Sequence, residues 1–270
     1  MGEGMQFKEK DAMSFPISNA GVDLSGQTAL VTGASSGLGH RFAQVLAGAG
    51  ARVALAGRRN DRLETLAAQI RDAGGEAHAL KLDMADPAAL PAAVAEVENE
   101  LGLVTILINN AGVPDAQLAT KMPLELIDQV LNVNVRGPFI LAREVAARLI
   151  KAGRPGRIIN IASVAAFHYA SPGASLYSVS KAAVVRMTEV LAVEWSAARI
   201  NVNCIAPGAF DTEMMDGMRS RIGDDFIAQF PRKRLGHPAQ LDSTLLYLAS
   251  PGSDAVTGTV IRVDDGQCPR

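Results

Sequence analysis

One stretch of the sequence decides the fold: Ala29-Leu30-Val31-Thr32-Gly33-Ala34-Ser35-Ser36-Gly37-Leu38-Gly39. The pattern predicts a buried strand, a tight turn and a helix from about Gly37 to Gly48. Gly33 permits a sharp turn, Gly37 lets a pyrophosphate approach the backbone, and Gly39 lets helix and strand pack closely. Because the first N–H groups of a helix are unpaired and partly positive, the turn predicts a dinucleotide phosphate site. A turn that binds nothing is the alternative, and the flanking apolar strand and helix favour the cofactor.

Short apolar strands and longer helical patterns alternate along the rest of the chain. Further strands are predicted at residues 52–56, 76–82, 104–108, 157–161, 200–205 and 259–263. Helices are predicted from Asn60 to the Gly74-Gly75 pair, from about Pro87, from Leu124 to about Lys151 and from about Ser175 to Ala197. This alternation indicates an α/β fold, with a single Rossmann-type, doubly wound parallel sheet of about seven strands and helices on both faces. Ligands of such sheets bind at the carboxyl ends of the strands.

The composition is that of an ordinary globular protein. Of 270 residues, 48% are hydrophobic and 20% charged, and 26 Lys and Arg face 28 Asp and Glu. This balance favours neither nucleic acid nor a charged membrane as a partner. Residues 1–23 are predicted to form a flexible N-terminal arm, and residues 24–270 a single dinucleotide-binding and catalytic domain. Apolar runs stay well short of the roughly 20 residues of a membrane span, and residues 1–19 lack an apolar signal core, so we expect a cytoplasmic protein.

The cysteines and histidines predict no metal site. Cys204 and Cys268 have neither metal-ligand spacing nor a disulfide pattern, and reduced thiols are expected. The four histidines are scattered along the chain, at His40, His78, His168 and His237.

A second group of polar residues lies in the later half of the chain. Tyr177 and Lys181 are four residues apart in a predicted helix, so their side chains lie on one face. An ammonium near a phenol lowers the pKa of the tyrosine, which suits an acid–base pair. The pair alone also fits an ordinary buried Tyr with a Lys that reaches solvent. Ser163 ends a predicted strand, and Asn134 and the following Gly137 lie unfavourably in the middle of a predicted helix.

Together these motifs resemble the short-chain dehydrogenase/reductase family, in its classical class. The resemblance covers nearly the whole chain, from about Leu24 to Gly266. It rests on the Thr-Gly-x-x-x-Gly-x-Gly turn at 32–39, Asn-Asn-Ala-Gly at 109–112, Asn134, Ser163, the Tyr-x-x-x-Lys motif at 177–181, and Pro207-Gly208 followed by Thr212. It implies an NAD(P)-dependent oxidoreductase that transfers a hydride between a nicotinamide and a carbonyl carbon, and so interconverts a ketone and a secondary alcohol.

The resemblance assigns catalytic roles to four residues. Tyr177 would donate the proton to the developing alkoxide in reduction and accept the hydroxyl proton in oxidation. Lys181 would lower the pKa of Tyr177 and hold the nicotinamide ribose. Ser163 would bind the substrate oxygen, and Asn134 would steady a water that links Lys181 to solvent.

The resemblance also implies a cofactor site. Its residues are Gly33, Ser35, Ser36, Gly37, Leu38, Gly39, Arg58, Arg59, Asp83, Met84, Asn110, Ala111, Gly112, Tyr177, Lys181, Pro207, Gly208, Phe210 and Thr212. NAD-binding sheets of this kind place a carboxylate after the second strand, for the ribose 2′-hydroxyl. Here Gly57 is followed by Arg58 and Arg59, which suit a 2′-phosphate. We therefore expect NADP, with NAD as the alternative.

Two residues after the third strand are expected to surround the adenine. The carboxylate of Asp83 would accept from the adenine amino group, and the backbone of Met84 would support the ring. The structural alternative for Asp83 is a helix cap before Pro87.

Residues 212–237 are predicted to form a substrate lid. Candidate substrate contacts are Ala165, Phe167, His168, Leu176, Met214, Met215 and Met218. Flexible, polarizable methionines can repack around apolar ligands, although the same residues also suit a short helix anchored to the domain. Arg232, Lys233 and Arg234 could meet the polar tail of a long ligand. For His168 the alternative is a solvent-facing position in its loop.

Apolar residues surround the helix that follows Tyr177 on all sides. A helix of this kind is buried all round, and a sheet covers only one face. In relatives this helix and the one before it pair across a two-fold axis. The resemblance therefore implies a closed assembly, a homotetramer or a homodimer.

Four other functions stay open on the sequence. A mainly apolar ketone or alcohol is the expected substrate, but an NAD-dependent dehydrogenase of a sugar or polyol, or a 3-oxoacyl thioester reductase, would carry the same motifs. A catalytically inactive nucleotide-binding regulator is less favoured, because all four catalytic positions are present. An epimerase or dehydratase of the family's extended class would require a different glycine spacing and a longer substrate region.

Overall fold

A computed structural model describes residues 21–168 and 173–268. Nearly all of the predicted arm, residues 1–23, lies outside this part. Seven strands form one sheet in the order β3-β2-β1-β4-β5-β6-β7, and every neighbouring pair is parallel. The strands are β1 (Thr28–Thr32), β2 (Arg52–Gly57), β3 (Ala77–Lys81), β4 (Ile106–Asn109), β5 (Gly156–Ile161), β6 (Ile200–Pro207) and β7 (Val260–Val263). The predicted fold class is therefore confirmed.

Helices cover both faces of the sheet. They are α1 (Gly37–Gly48), α2 (Asn60–Asp72), α3 (Ala89–Leu101), α4 (Leu124–Leu131), α5 (Gly137–Ala152), α6 (Ser175–Trp195), α7 (Glu213–Ile222) and α8 (Asp242–Ala249). The helical stretch predicted from Leu124 to about Lys151 is confirmed, because the chain is helical from Leu124 to Ala152. A π-helical turn at Asn132–Arg136, which was not predicted, lies between α4 and α5. Such turns are frequent at functional sites, and Asn134 lies within this one.

Two apolar cores sandwich the sheet. Side chains of a strand alternate between faces, so Leu107 of β4 packs into one core and its neighbours Ile106 and Ile108 into the other. Helices α3, α5 and α6 complete the first core, and α1, α2 and α8 complete the second. Because helices cover both faces of the sheet, ligands can reach it only at the edge where the strands end.

The chain reverses its direction of winding between β1 and β4. Strands β2 and β3 lie on one side of β1, and β4 to β7 lie on the other. The loops that follow β1 and β4 therefore diverge and leave a crevice between them, which is where ligands of open α/β sheets bind. Within the part of the chain that the structure describes, no helix combines the length and apolar character needed to cross a membrane.

Candidate active site

The glycine turn after β1 is closed by the loop after β4. The side-chain amide of Asn110 donates to the carbonyl of Thr32 at 2.9 Å, and the hydroxyl of Thr32 accepts the N–H groups of Asn110 and Ala111 at 3.0 and 3.1 Å. Gly33 has a φ of 69°, a conformation that favours glycine. A Cβ on Gly39 would lie 2.8 Å from the carbonyl carbon of Gly33, so the turn and α1 touch through backbone alone.

The N-terminus of α1 fits the phosphates of a dinucleotide. Within the described residues, the side chain of Ser36 at the N-cap accepts none of the helix N–H groups. The first turn, Gly37-Leu38-Gly39-His40, contains no acidic residue. Unpaired N–H groups that point along the helix axis favour a bound anion.

The structure brings Arg59, not Arg58, to the glycine turn. The guanidinium of Arg59 donates to the hydroxyl of Ser35 at 3.0 and 3.1 Å and to that of Ser36 at 2.6 Å. Arg58 is exposed. The sequence predicted both arginines but could not place either, because Ser36 and Arg59 are 23 residues apart.

The expected adenine residues lie where β3 ends. Asp83 is exposed and accepts the N–H of Ala85 at 2.9 Å, whereas Met84 is buried. The interpretation of Asp83 as a helix cap was wrong. Asp86 accepts the N–H groups of Ala88 and Ala89, at the start of α3.

Ser163, Tyr177 and Lys181 meet at the carboxyl end of β5. The hydroxyl of Ser163 accepts the N–H of Ala165 at 3.1 Å and interacts with the phenol of Tyr177, whose pKa it lowers. The buried ammonium of Lys181 donates to the carbonyl of Ile161 at 2.8 Å and lies 5.6 Å from the centre of the Tyr177 ring. The i, i+4 spacing therefore does place both side chains on one face of α6.

Burial moves the pKa values of Lys181 and Tyr177 away from their ordinary values. Desolvation lowers the pKa of Lys181 to about 8, and the electrostatic interaction with Cys204 acts in the opposite direction, raising this pKa. Desolvation raises the pKa of Tyr177 above 10.0, the hydrogen bond from Ser163 opposes this rise, and the charge of Asp115 adds to it. The expectation of a lowered tyrosine pKa was therefore wrong. The Lys181 ammonium is directed at Ile161, and loss of hydration dominates.

Asn134 joins the loop after β4 to α6. Its side-chain oxygen accepts the N–H of Val113 at 2.9 Å, and its amide nitrogen donates to the Val113 carbonyl and the Ser180 hydroxyl at 3.0 Å each. A Cβ on Gly112 would lie 3.4 Å from the Lys181 nitrogen and 3.5 Å from the Asn134 oxygen. Glycine therefore keeps the space between these two polar groups open.

Asp115 is a site residue that the sequence analysis missed. Its side chain is 3% exposed, and one carboxylate oxygen accepts the N–H groups of Leu176 and Tyr177 at 2.8 and 3.0 Å. The other oxygen accepts the N–H of Ala116 at 2.8 Å, where the backbone is left-handed with a φ of 52°. Asp115 thus attaches the loop after β4 to the start of α6. Asp115 and Leu176 are 61 residues apart in the chain, so no local sequence pattern indicates their contact.

Comparison with known proteins identifies the family. The family model described as short chain dehydrogenase matches residues 27–223. The chain is a short-chain dehydrogenase/reductase. It is 37% identical to nodulation protein G of Rhizobium sp. (strain N33) and 33% identical to a 3-oxoacyl-(acyl-carrier-protein) reductase of Thermotoga maritima, each over 90% of this chain and 98% of the relative. A solved short-chain dehydrogenase/reductase from Mycobacterium marinum superposes with a TM-score of 0.88 at 36% identity, over 92% and 98% of the two chains.

A short-chain dehydrogenase/reductase is an oxidoreductase that uses NAD or NADP and acts on small molecules, so the predicted enzyme class is confirmed. The loop that would face the nicotinamide in this dehydrogenase/reductase follows β6. Pro207 ends the strand, Gly208 and Thr212 are partly exposed, and Phe210 is buried. Thr212 lies close to the glycine turn, where a Cβ on Gly37 would be 3.3 Å from its methyl group.

The predicted lid segment of this dehydrogenase/reductase, residues 212–237, lies on the surface. Every residue of α7 is at least partly exposed, with Met214 at 43% and Met215 and Met218 partly buried. Glu213 forms ion pairs with Arg59 and Arg62 of α2. Arg232 and Arg234 pair with Asp265 at 2.7 and 2.9 Å. Arg232 and Arg234 therefore contact the C-terminal segment, and their place at the polar tail of a ligand stays a prediction.

The other predicted substrate residues lie in the segment after β5 and at the start of α6. Ala165 and Leu176 are partly buried, whereas Phe167 and His168 are exposed. The guanidinium of Arg262 lies 5.3 Å from the centre of the Phe167 ring, so this side of the dehydrogenase/reductase carries a cation that the sequence analysis did not select. Among residues 21–168 and 173–268, no group of three or more His, Cys, Asp or Glu is arranged to hold a metal ion.

Proposed function

We propose that this short-chain dehydrogenase/reductase prefers NADP and interconverts a mainly apolar ketone with the matching secondary alcohol. The observation that carries the proposal is the meeting of Ser163, Tyr177 and Lys181 at one strand end, beside the open N-terminus of α1. The three side chains supply a proton donor, a hydrogen bond for the substrate oxygen and a buried cation. These are the groups that carbonyl reduction requires besides a hydride.

The cofactor would be held by backbone at one end and by arginine at the other. The N–H groups at the start of α1 would bind the pyrophosphate, and Arg59 with the Ser35 and Ser36 hydroxyls would bind a 2′-phosphate. A planar guanidinium next to two hydroxyls matches phosphate geometry. When bound, the nicotinamide supplies or accepts the hydride.

Tyr177 would act as the acid in reduction. Burial keeps its phenol protonated near neutral pH, so the proton is in place as negative charge develops on the substrate oxygen. The Ser163 hydroxyl would hydrogen-bond the same oxygen and orient it. Lys181 would place a positive charge near the phenolate that forms, and Asn134 would set the shape of the space beside Lys181.

The residues predicted to contact the substrate favour an apolar substrate. Ala165, Leu176, Met215 and Met218 supply aliphatic and thioether groups that are partly buried. Arg262 beside Phe167 supports a second candidate, a substrate with an anionic or thioester-linked tail. The similar 3-oxoacyl-(acyl-carrier-protein) reductase acts on a substrate of that second kind.

Exposed apolar side chains support assembly into a dimer or tetramer. Phe139 and Ile150 of α5 and Val179, Val190 and Val193 of α6 are each at least 42% exposed. A two-fold axis would pair these helices with those of a second copy. Light scattering at micromolar concentration should give twice or four times the mass of the chain, and a monomer would contradict the proposal.

Kinetics on one panel of substrates test the reaction and the cofactor together. Apolar ketones, 3-oxoacyl thioesters and sugar-derived ketones are each reduced with NADPH and NADH. We expect the highest kcat/KM with an apolar ketone and NADPH, and Tyr177→Phe should lower kcat by about 10²–10⁴-fold. Arg59→Ala should weaken the NADPH preference, whereas the control Arg58→Ala should weaken it less. NADH preferred by the wild type, with Arg59→Ala unchanged, would refute the cofactor assignment.

A further inference from the structure

A single carboxylate connects the predicted lid segment to the cofactor side of the sheet. Glu213 is the first residue of α7. One of its oxygens lies 2.8 Å from Arg59, and the other pairs with Arg62. Arg59 at the same time donates to the hydroxyls of Ser35 and Ser36 in the glycine turn. Glu213 therefore pairs with the same arginine that would bind the proposed 2′-phosphate.

The two arginines reach Glu213 from the start of α2. Arg59 is the N-cap of this helix and has non-helical backbone, Arg62 lies in its first turn, and each guanidinium pairs with a different oxygen of Glu213. Hydrogen bonds from Arg62 and Arg59 lower the pKa of Glu213 to about 2, and the carboxylate is ionised at neutral pH. Carboxylate and phosphate oxygens both accept charge-assisted hydrogen bonds from guanidinium groups. The two anions are therefore competitors for one site.

We propose that Glu213 is a latch that the 2′-phosphate of NADP displaces. The carboxylate holds the start of α7 against Arg59 and Arg62. NADP takes over the guanidinium groups and releases α7, whereas NAD, without a 2′-phosphate, leaves the latch closed. Glu213 is thus a specificity-determining residue, and its contact couples the choice of cofactor to the freedom of the lid segment. The inference rests on the proposed binding of a 2′-phosphate at Arg59.

The exposure of the ion pairs makes such an exchange reversible. Arg59, Arg62 and Glu213 are 40%, 47% and 51% exposed, and exposed pairs of this kind are weak. A phosphate monoester carries about −1.5 to −2 charges near neutral pH, against −1 for the carboxylate. The phosphate is therefore the stronger competitor. Because every residue of α7 is at least partly exposed, loss of the Glu213 pairs leaves the helix with few restraints.

Adenosine 2′,5′-bisphosphate and adenosine 5′-monophosphate separate the 2′-phosphate from the rest of the cofactor. Isothermal titration calorimetry gives the Kd of each for the wild type, for Glu213→Gln and for the control Asp216→Asn. Asp216 lies in the same turn of α7 but pairs with Arg219. We expect Glu213→Gln to bind the bisphosphate about two- to ten-fold more tightly and to bind the monophosphate as the wild type does. We expect Asp216→Asn to bind both nucleotides as the wild type does.

Hydrogen exchange over residues 213–222 supplies a second readout. In the wild type the bisphosphate should speed exchange of this segment and the monophosphate should not. In Glu213→Gln exchange should be fast without ligand. An unchanged bisphosphate Kd in Glu213→Gln, an equal gain in Asp216→Asn, or slower exchange with the bisphosphate would overturn the latch.

The same titrations distinguish the latch from the proposed cofactor preference. Equal wild-type affinity for the two nucleotides, unaffected by Arg59→Ala, overturns both. A preference for the bisphosphate that needs Arg59 but not Glu213 overturns the latch alone.

Discussion

The glycine turn, residues 32–39, and the lid segment, residues 212–237, lie against each other but are built in opposite ways. The turn is held by backbone contacts and by Asn110, and most of β1 and α1 around it is buried. In the lid segment α7 has only exposed or partly exposed residues and is attached at its start through ion pairs. Close packing makes the glycine turn rigid. The lid segment is held by ion pairs between side chains that are also exposed to water.

This difference shows how one site can combine precision with movement. The phosphate groups of a cofactor bind to hydrogen-bond donors that must not move. Backbone N–H groups supply these donors, and buried packing keeps them in place. A substrate must enter and leave, so the covering segment is drawn from the least stable part of the structure. Substitutions should therefore have large effects at the turn and its neighbouring buried groups, and small effects in the lid segment.

The largest contrast is expected from the same substitution in both regions. Gly39→Ala places a Cβ against backbone atoms of Gly33. Because backbone cannot yield easily, we expect a loss of about 3 kcal/mol in the free energy of unfolding, together with loss of cofactor binding. The control Gly217→Ala in α7 meets nothing within 4 Å, and alanine favours a helix by up to about 1 kcal/mol. Denaturant unfolding and calorimetric titration measure both, and similar losses in the two variants would break the comparison.

A lysine substitution should show the cost of burying a charge near the turn. Lys181→Met should abolish activity yet stabilise the fold at pH 7 by about 2 kcal/mol. The lowering of its pKa from 10.5 to about 8 corresponds to about 3 kcal/mol, and loss of the Ile161 hydrogen bond offsets about 1 kcal/mol. The exposed Lys233 of the lid segment supplies the control, Lys233→Met, which should change little.

The pH dependence of this gain has a definite sign. Below pH 8 Lys181 is charged in the folded and the unfolded protein, and the full cost of burial is present. Between pH 8 and 10.5 only the unfolded protein keeps the proton, so wild-type stability rises with pH. The advantage of Lys181→Met should therefore be smaller at pH 9.5 than at pH 7. An advantage that grows with pH would contradict the assigned burial cost.

The smallest expected contrast is between a buried and an exposed carboxylate. Asp115→Asn leaves one oxygen for three backbone N–H groups, and we expect a loss of about 1–2 kcal/mol in stability. Loss of the negative charge should lower the pKa of Tyr177, because that charge helps to raise it. The alkaline limb of the kcat profile should then move to lower pH. Asp216→Asn, in the lid segment, should change neither quantity, and an unmoved profile in Asp115→Asn would show a purely structural role.

Periodicity in the sequence predicted most of the fold. The third strand was expected at 76–82 and lies at Ala77–Lys81, and α1 has the predicted bounds. Glycine and β-branched residues act on their own backbone, so their effects can be read locally. The π-helical turn at Asn132–Arg136 could not be read in this way, because its side-chain bonds from Asn134 reach Val113 and Ser180.

The sequence alone determined the sheet, the glycine turn and the shared face of Tyr177 and Lys181, because each follows from spacing along one strand or helix, and the resemblance to the family added Asn134 and Ser163. Tertiary structure decided the choice of Arg59 over Arg58, the contact of Asp115 with α6, the pairs of Glu213 and the direction of the Tyr177 pKa. Hydrogen bonds between distant segments and the loss of hydration depend on which chain segments meet. Neither these hydrogen bonds nor the loss of hydration produces a periodic pattern in the sequence.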